Sequence, residues 1–430
     1  IMNYLVKYLL HIVYSCFLII FALLLLPVIV IALIIVPKFR AGFFQKLGFY
    51  YLNLPQKKKT IWIHAVSVGE VNAVESLVKE TKSKFQECNV VISTVTKTGH
   101  EVAKKKLSDV VDAIVYFPFD FNFSVFSALT AIRPSLVVIA ETEIWPNFSF
   151  MVNAKKIPLM IVNGRISPHS YRGYRKFSFF FRDILSNYSS ILMQTESDKE
   201  RIIDIGAPEE KVEVMGNLKF NFSNILDKEK IAAFRQELHL VDKKLMIAGS
   251  THKGEDEVVL DVFASLREEI PSLKLLLAPR HPERFLQVED LVAQLGISYG
   301  FRSKNDTFEN KDIILLDTVG ELGKMYSLCE IAFIGGSFSN TGGHNPLEAS
   351  IYNKPVISGP DVFNFKDIYQ ILTADGAACI VSDKKEFYNK ALELLSNKIV
   401  YRQACDSCKM VFDKNTGALE YALNKMEMFL

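Results

Sequence analysis

Several short apolar runs in this chain end in residues that can accept a proton or hold an anion. The run at 60–66 ends in S-V-G-E, which places Glu70 at a strand-to-helix turn, with Val71, Val74, Leu77 and Val78 following at helical spacing. A carboxylate there lies at the carboxyl edge of a parallel sheet, where ligands bind. It equally complements the positive end of a helix dipole, and position alone does not choose between the two. The run at 136–139 ends in E-T-E-I-W-P-N, which brings Glu141 and Glu143 to the same edge. The run at 158–162 ends in N-G-R at 163–165, and G-N-L-K at 216–219 ends this half of the chain with Lys219. In the second half, 273–278 leads to Pro279 and Arg280, and 313–316 leads to Asp317, Thr318, Val319, Gly320 and Glu321. Arg280 and Lys219 are cations placed to stabilise a departing phosphate. Most surface Arg and Lys are simply solvated, but these two directly follow strands.

The stretch 331–350, I-A-F-I-G-G-S-F-S-N-T-G-G-H-N-P-L-E-A-S, combines these features most densely. A buried strand leads into a loop with Gly335, Gly336, Gly342 and Gly343, whose backbone can approach a ligand closely. A helix is expected next, with Asn345 as N-cap, Pro346 at its first position, Leu347 next and Glu348 completing a capping box. Strand, glycine loop and helix N-terminus together predict an anion or nucleotide site. Capping alone would leave the glycines, His344 and Asn345 in one loop without a reason. Ser250 and Thr251, after the run at 244–248, are a further phosphate candidate.

The elements that must position these residues alternate regularly. Strands are expected at 60–66, 90–93, 113–116, 136–139, 158–162 and 191–193, and after a polar linker at about 220–230 the alternation restarts at 244–248, 273–278, 313–316 and 331–334. Strands alternating with helical segments predict doubly wound parallel sheets. Two such sheets joined by a linker predict the α/β GT-B architecture, two facing Rossmann-like domains with a cleft between them. No Asp-x-Asp occurs, so no metal-dependent sugar-nucleotide site is expected.

At 430 residues the chain fits two domains, and a 49% hydrophobic composition with a net charge of +2 excludes disorder and a general nucleic-acid binder. Scattered thiols point to a reducing compartment, and the C-x-x-C of Cys405 and Cys408 lacks a second pair to complete a zinc site. Residues 8–37 contain no Asp, Glu, Lys or Arg, and 16–36 are long enough to cross the roughly 30 Å hydrocarbon core. Lys7 precedes this span, while Lys38, Arg40, Lys46, Lys57, Lys58 and Lys59 follow it, so the positive-inside rule puts the bulk of the chain in the cytoplasm behind an uncleaved anchor. On a helix at 170–185, Arg172, Arg175, Lys176 and Arg182 share one face, with Tyr174, Phe177 and Phe181 on another. This is either a surface facing anionic lipid or an amphipathic helix burying its aromatics.

S-V-G-E, E-T-E-x-W-P-N, N-G-R, G-N-L-K, P-R-H-P-E-R at 279–284 and G-G-H-N-P-L-E at 342–348 occur together and in this order. So arranged, they closely resemble the 3-deoxy-D-manno-octulosonic acid (Kdo) transferases of bacterial lipopolysaccharide synthesis. The resemblance implies CMP-Kdo as donor, the lipid A precursor lipid IVA as acceptor, inversion at the anomeric carbon and no cofactor or metal. It implies that Glu70 is the general base and that Glu141 and Lys219 stabilise the transition state. Pro279, Arg280, Val319, Gly320, Glu321, Asn345, Pro346, Leu347 and Glu348 match CMP-contacting segments, with Val319 where many relatives carry Met. The implied layout is an anchor at 1–40, an acceptor-binding domain at 41–220 and a donor-binding domain at 221–430, on the cytoplasmic face of the inner membrane beside its anionic surface. The alternatives are another GT-B transferase acting on a lipid acceptor with a uridine-nucleotide donor, and a tethered binding module without catalysis. The joint presence of Glu70, Glu141, Lys219 and Arg280 counts against the module.

Overall fold

A strand without polar alternation is stable only in a sheet covered on both faces. The chain meets this condition twice. The computed structural model describes residues 2–55, 58–222 and 225–430, so Lys57 lies outside the described residues. The first sheet comprises β1 (Thr60–His64), β2 (Asn89–Thr94), β3 (Ala113–Tyr116), β4 (Leu136–Ala140), β5 (Leu159–Gly164), β6 (Ser190–Met193) and β7 (Val212–Val214). All its pairings are parallel, in the order β3-β2-β1-β4-β5-β6-β7. Every residue of β1, β2, β4 and β5 is buried. In β1, Trp62 joins Phe117, Val137 and Phe148 on one face, while Ile61 and Ile63 join Val71, Val74, Leu136 and Val138 on the other.

The second sheet comprises β8 (Lys244–Thr251), β9 (Leu273–Pro279), β10 (Tyr299–Phe301), β11 (Ile313–Leu315), β12 (Ile331–Ile334), β13 (Val356–Ser358) and β14 (Ala378–Ile380). It is also parallel, in the order β10-β11-β9-β8-β12-β13-β14. Strands β7, β10, β13 and β14 are not among those expected; at three residues each they give periodicity little to register. In each sheet the winding reverses once, between β1 and β4 and between β8 and β12. Loops leaving such a switch point diverge and open a crevice at the carboxyl edge.

The chain divides into a unit of Ile1–Asn221 with Asn415–Leu430 and a unit of Phe222–Lys414. Residues 415–430, expected in the second domain, therefore belong to the first. The reason is apolar burial: Ala418, Ala422, Leu423 and Met426 of the helix Ala418–Glu427 share a core with Ile61, Ile63 and Leu77. Lys425 pairs with Glu213 at 2.7 Å and Lys84 with Glu427 at 2.7 Å around its rim.

The single anchor helix expected at the N-terminus is not formed. Among the described residues no single helix is long and apolar enough to cross a membrane; Leu9–Leu24 and Leu26–Ile35 reach that length only as a pair, bent by 58°. Pro27 lies in the first turn of the second helix, where its missing N–H interrupts the hydrogen-bond ladder from the first. One side of the first helix is held by the first unit. His11 stacks on Phe150 at 4.0 Å, the Tyr14 hydroxyl donates to Asp120 at 3.1 Å, and the Ser15 hydroxyl donates to Asn147 at 2.9 Å. Leu9, Ile12, Val13, Phe17 and Ile20 remain exposed.

The basic and aromatic helix expected at 170–185 is two helices, Pro168–Lys176 and Ser178–Leu185, broken at Phe177. Tyr174 and Phe181 meet edge to face at 4.7 Å and pack against the first core, whereas Phe177 and Phe179 stay exposed. Arg172, Lys176 and Arg182 are exposed, and Arg175 pairs with Asp204 at 3.0 Å. The aromatics thus divide between core and surface.

Asp120 is the joint between the N-terminal helix and the E-T-E-I-W-P-N segment. Besides Tyr14, its buried carboxylate accepts the N–H groups of Asn147 at 3.0 Å and Phe148 at 2.8 Å, capping the helix Pro146–Ala154. Asp120→Ala should therefore cost about 1–3 kcal/mol per buried donor left unpaired. Urea unfolding followed by the fluorescence of Trp62 and Trp145, both in the first unit, is the check.

Candidate functional site

Ser67 is the N-cap of the helix Val68–Lys84, and Glu70 is its third residue. The Glu70 carboxylate turns back, with Oε2 accepting the Val66 N–H at 2.7 Å and Oε1 accepting the Ser67 hydroxyl at 3.1 Å. The residue is only 9% exposed. Burial pushes its carboxyl up to about 7; the Val66 hydrogen bond opposes this, the charges of Glu141 and Glu143 add to it, and the Ser67 hydrogen bond opposes it again. Glu70 does tie the helix start, but two neutral donors do not compensate its desolvation, so it is poised to exchange a proton near neutral pH.

Glu141 directly follows β4, beside β1 across the switch point, and has a left-handed backbone at φ 56°. Its carboxylate lies 4.0 Å from the Lys219 ammonium and 3.5 Å from Arg165 Nε. Asn163, also left-handed at φ 55°, accepts the Leu218 N–H at 2.9 Å through its side chain. Its backbone carbonyl accepts from Gln194 at 3.0 Å, Gln194 accepts from Asn217 at 2.9 Å, and Asn217 accepts the Lys219 N–H at 2.9 Å. This buried amide chain holds the turn Leu218–Phe220 that carries Lys219. Non-glycine residues in left-handed conformations at the ends of adjacent strands are strain of the kind that clusters at functional sites. Burial raises the Glu143 carboxyl, and the charge of Glu141 raises it further.

The second unit assembles a separate cluster around β8, β9 and β12. Arg280 follows β9, is exposed, and donates its backbone N–H to Thr251 at 3.0 Å. Glu348 is shifted upward by burial, and the charge of Arg280 pulls it back. The His252 and His344 rings lie almost parallel, 15° apart, with their Nε2 atoms at 2.9 Å. His281 meets His252 edge to face at 5.2 Å. Among the described residues, no group of three or more His, Cys, Asp or Glu is placed to hold a metal ion.

The glycine loop is built differently from the expectation. Glu255 is fully buried, and its carboxylate accepts the N–H groups of His252 (2.8 Å), Gly336 (2.7 Å), Ser337 (2.8 Å) and Phe338 (2.8 Å). The loop amides thus cradle a carboxylate of the protein itself. A Cβ on Gly335 would come within 2.5 Å of the Ser250 carbonyl, which is why the loop can run so close to β8. The helix that follows is one turn, Leu347–Ser350, with Pro346 rather than Asn345 at the cap position; Asn345 instead accepts the Leu347 N–H at 3.1 Å. So short a helix offers little dipole, and side chains must supply the positive charge at this edge.

The remaining predicted residues separate by exposure. Val319 is 87% exposed and Gly320 sits at φ +88° in an open turn. Glu321 works against burial to stay below the usual carboxylate range, held there by Lys324 at 2.7 Å, the Thr318 hydroxyl and Arg302 at 3.5 Å. Pro279, Pro346 and Leu347 are buried, so their side chains shape the site from beneath. Thr251 is buried and donates its hydroxyl to Asp256 at 2.6 Å, which removes it as a phosphate ligand, whereas Ser250 is left-handed at φ 57° and half-buried.

The family described as 3-Deoxy-D-manno-octulosonic-acid transferase (kdotransferase) matches residues 41–222. The 3-deoxy-D-manno-octulosonic acid transferase of Haemophilus influenzae is 35% identical over 398 residues, 92% of this chain and 92% of its own. This chain belongs to the Kdo transferase family. The Chlamydophila psittaci Kdo transferase is 32% identical over 85% of this chain and 84% of its own length. A bifunctional glycosyltransferase/methyltransferase of Fusobacterium nucleatum is 42% identical over 347 residues, and the chain spans 53% of that protein's length.

In this chain, sequence reading passed over Gln194, Glu255 and the pairing of His252 with His344. Gln194 and His252 each directly follow a strand, the signal that singled out Glu141 and Arg280.

The raised carboxyl of Glu70 has a consequence for stability. The folded state binds this proton more tightly than the unfolded chain, so its contribution is present at low pH and lost as pH rises from about 4.5 through about 7. Glu70→Gln removes the ionisation and should stabilise the fold by about 1–3 kcal/mol at pH 8, with the difference vanishing near pH 4. A mere helix-end charge would show the opposite, a loss of about 0.3–1 kcal/mol. Urea unfolding of both proteins across this range decides.

Proposed function

We propose that this chain is an inverting, metal-independent glycosyltransferase that moves Kdo from CMP-Kdo to lipid IVA. The observation that carries this reading is Glu70, a buried carboxyl pushed up to about 7 at a switch point. A sugar hydroxyl is a poor nucleophile, and a carboxylate of this proton affinity can take its proton during attack at neutral pH. Lys219 and Glu141, held by Asn163, Gln194 and Asn217, steady the charge that develops as the bond forms. On the second unit, Arg280 faces the departing phosphate, and Glu348 takes the ribose hydroxyls. Val319 and Gly320 border the nucleotide, with Pro279, Pro346 and Leu347 beneath it. Glu321 orders the 318–324 turn rather than touching ligand with its carboxylate, since Lys324 and Thr318 already occupy it.

Incubation of the protein with CMP-Kdo and lipid IVA should give a product heavier by Kdo, read by mass spectrometry. Glu70→Gln should lower turnover by about 10²–10⁴ while CMP affinity is retained. Activity within about tenfold of the parent would move the base elsewhere. A uridine-nucleotide sugar giving product in place of CMP-Kdo would replace the donor assignment.

The bent apolar pair at the N-terminus, with Arg40, Lys46, Lys58 and Lys59 after it, supports attachment to the cytoplasmic face of the inner membrane beside anionic lipid. Protease added to intact spheroplasts should leave both units uncut. Cleavage within either from outside reverses the orientation.

A further inference from the structure

The crevice of the second sheet opens between β8 and β12, and the residues that leave these two strands toward it include His252 and His344. Their rings approach Nε2 to Nε2 at 2.9 Å although they lie 92 residues apart in the chain. At that distance one nitrogen donates and the other accepts, so two neutral rings share a single proton between them. An added proton, taken by the outer Nδ1 of the donating ring, makes the pair an imidazole–imidazolium, singly charged and still hydrogen-bonded. The pair can therefore switch between neutral and cationic without moving.

Other positive groups at this edge are limited by their neighbours. The N–H groups of Gly336, Ser337 and Phe338 are satisfied by Glu255. Those of Gly343 and His344 are satisfied by the carbonyls of Gly336 and Gly335. Arg284 is bound to Asp256 and to the Thr251 carbonyl. Arg280, which is exposed, and the histidine pair are side chains at this edge that can meet an anion. We infer that His252 and His344 form, with Arg280, the phosphate-holding element of the donor site, and that the pair takes up one proton as the nucleotide phosphate arrives. This rests on the nucleotide-donor reading above and assigns the group that carries the charge.

The surroundings fit a pair that is neutral when empty. Burial lowers His252, with Glu255 opposing and His281, Arg284 and Arg280 adding to the fall. Burial likewise brings His344 down to about 4, helped by Arg280, His252 and His281. Of the acidic groups here, Glu255 is engaged by four N–H donors, Asp256 by Arg284, and Glu283 lies 3.8 Å from His281. Glu348 sits within the field of Arg280. A phosphate supplies the counter-charge that the empty site lacks, which favours the cationic pair.

Calorimetry of CMP binding at pH 7, in buffers of differing ionisation enthalpy, measures the proton taken up. His344→Asn and His252→Asn are compared with the parent, so that titration of CMP itself cancels; circular dichroism confirms the folds, and Arg280→Ala is the positive control. The expected result is that the parent takes up more than half a proton beyond what either variant takes up. CMP affinity should fall about tenfold in each variant, as for a lost charge-assisted contact, while cytidine affinity stays unchanged. Equal CMP affinity and equal proton uptake in parent and variants overturn the inference and leave the donor reading standing. Unchanged CMP binding with lost competition by free Kdo overturns it in favour of the sugar carboxylate. A parent that binds no CMP defeats the donor reading itself.

Discussion

A parallel sheet covered on both faces leaves its polar residues one place to meet a ligand, the carboxyl edge of its strands. Both units of this chain live under that constraint. The residues of β1, β4 and β5 are wholly buried, and the chain turns sharply at two of their ends: Glu141, just beyond β4, and Asn163, near the end of β5, adopt left-handed backbones. Ser250, within the last turn of β8, does the same. Polar side chains within the strands, such as Ser93 and Asn163, are engaged by hydrogen bonds inside the protein, so the strand ends are where polar groups can face a ligand.

Two buried glutamates at these edges show how the number of donors sets what a carboxylate does. Glu255 receives four backbone N–H groups, and through them it shapes the 335–338 loop. Glu70 receives one backbone N–H and one hydroxyl, and it faces the negative charges of Glu141 and Glu143. Its ionised form is under-supported, which raises its proton affinity. The same residue type thus braces a loop in one unit and is left with a raised proton affinity in the other.

Much of this was legible in the sequence, because strand ends are local. Glu70, Glu141, Lys219 and Arg280 stand out by following apolar runs, and the alternation of runs with helical spacing is enough for two doubly wound sheets. What escaped depends on strand order or on fine geometry. The meeting of His252 and His344 requires β8 to lie beside β12. Glu255 reads as an ordinary acidic residue at a helix start until its side chain is seen to turn into the loop. The capping box at 345–348 fails by one residue, since Pro346 occupies the cap position. The kink at Pro27 is legible from the missing N–H of proline, but its 58° size is not.

The return of residues 415–430 to the first unit makes the second unit an insertion within it. The face of the first sheet around Ile61, Ile63 and Leu77 is not fully covered until Ala418, Ala422, Leu423 and Met426 are in place. During synthesis that cover emerges only after the whole of Phe222–Lys414. The first unit, although nearly all of it is made first, is therefore completed last. Until then it exposes an apolar surface that a chaperone would have to shield.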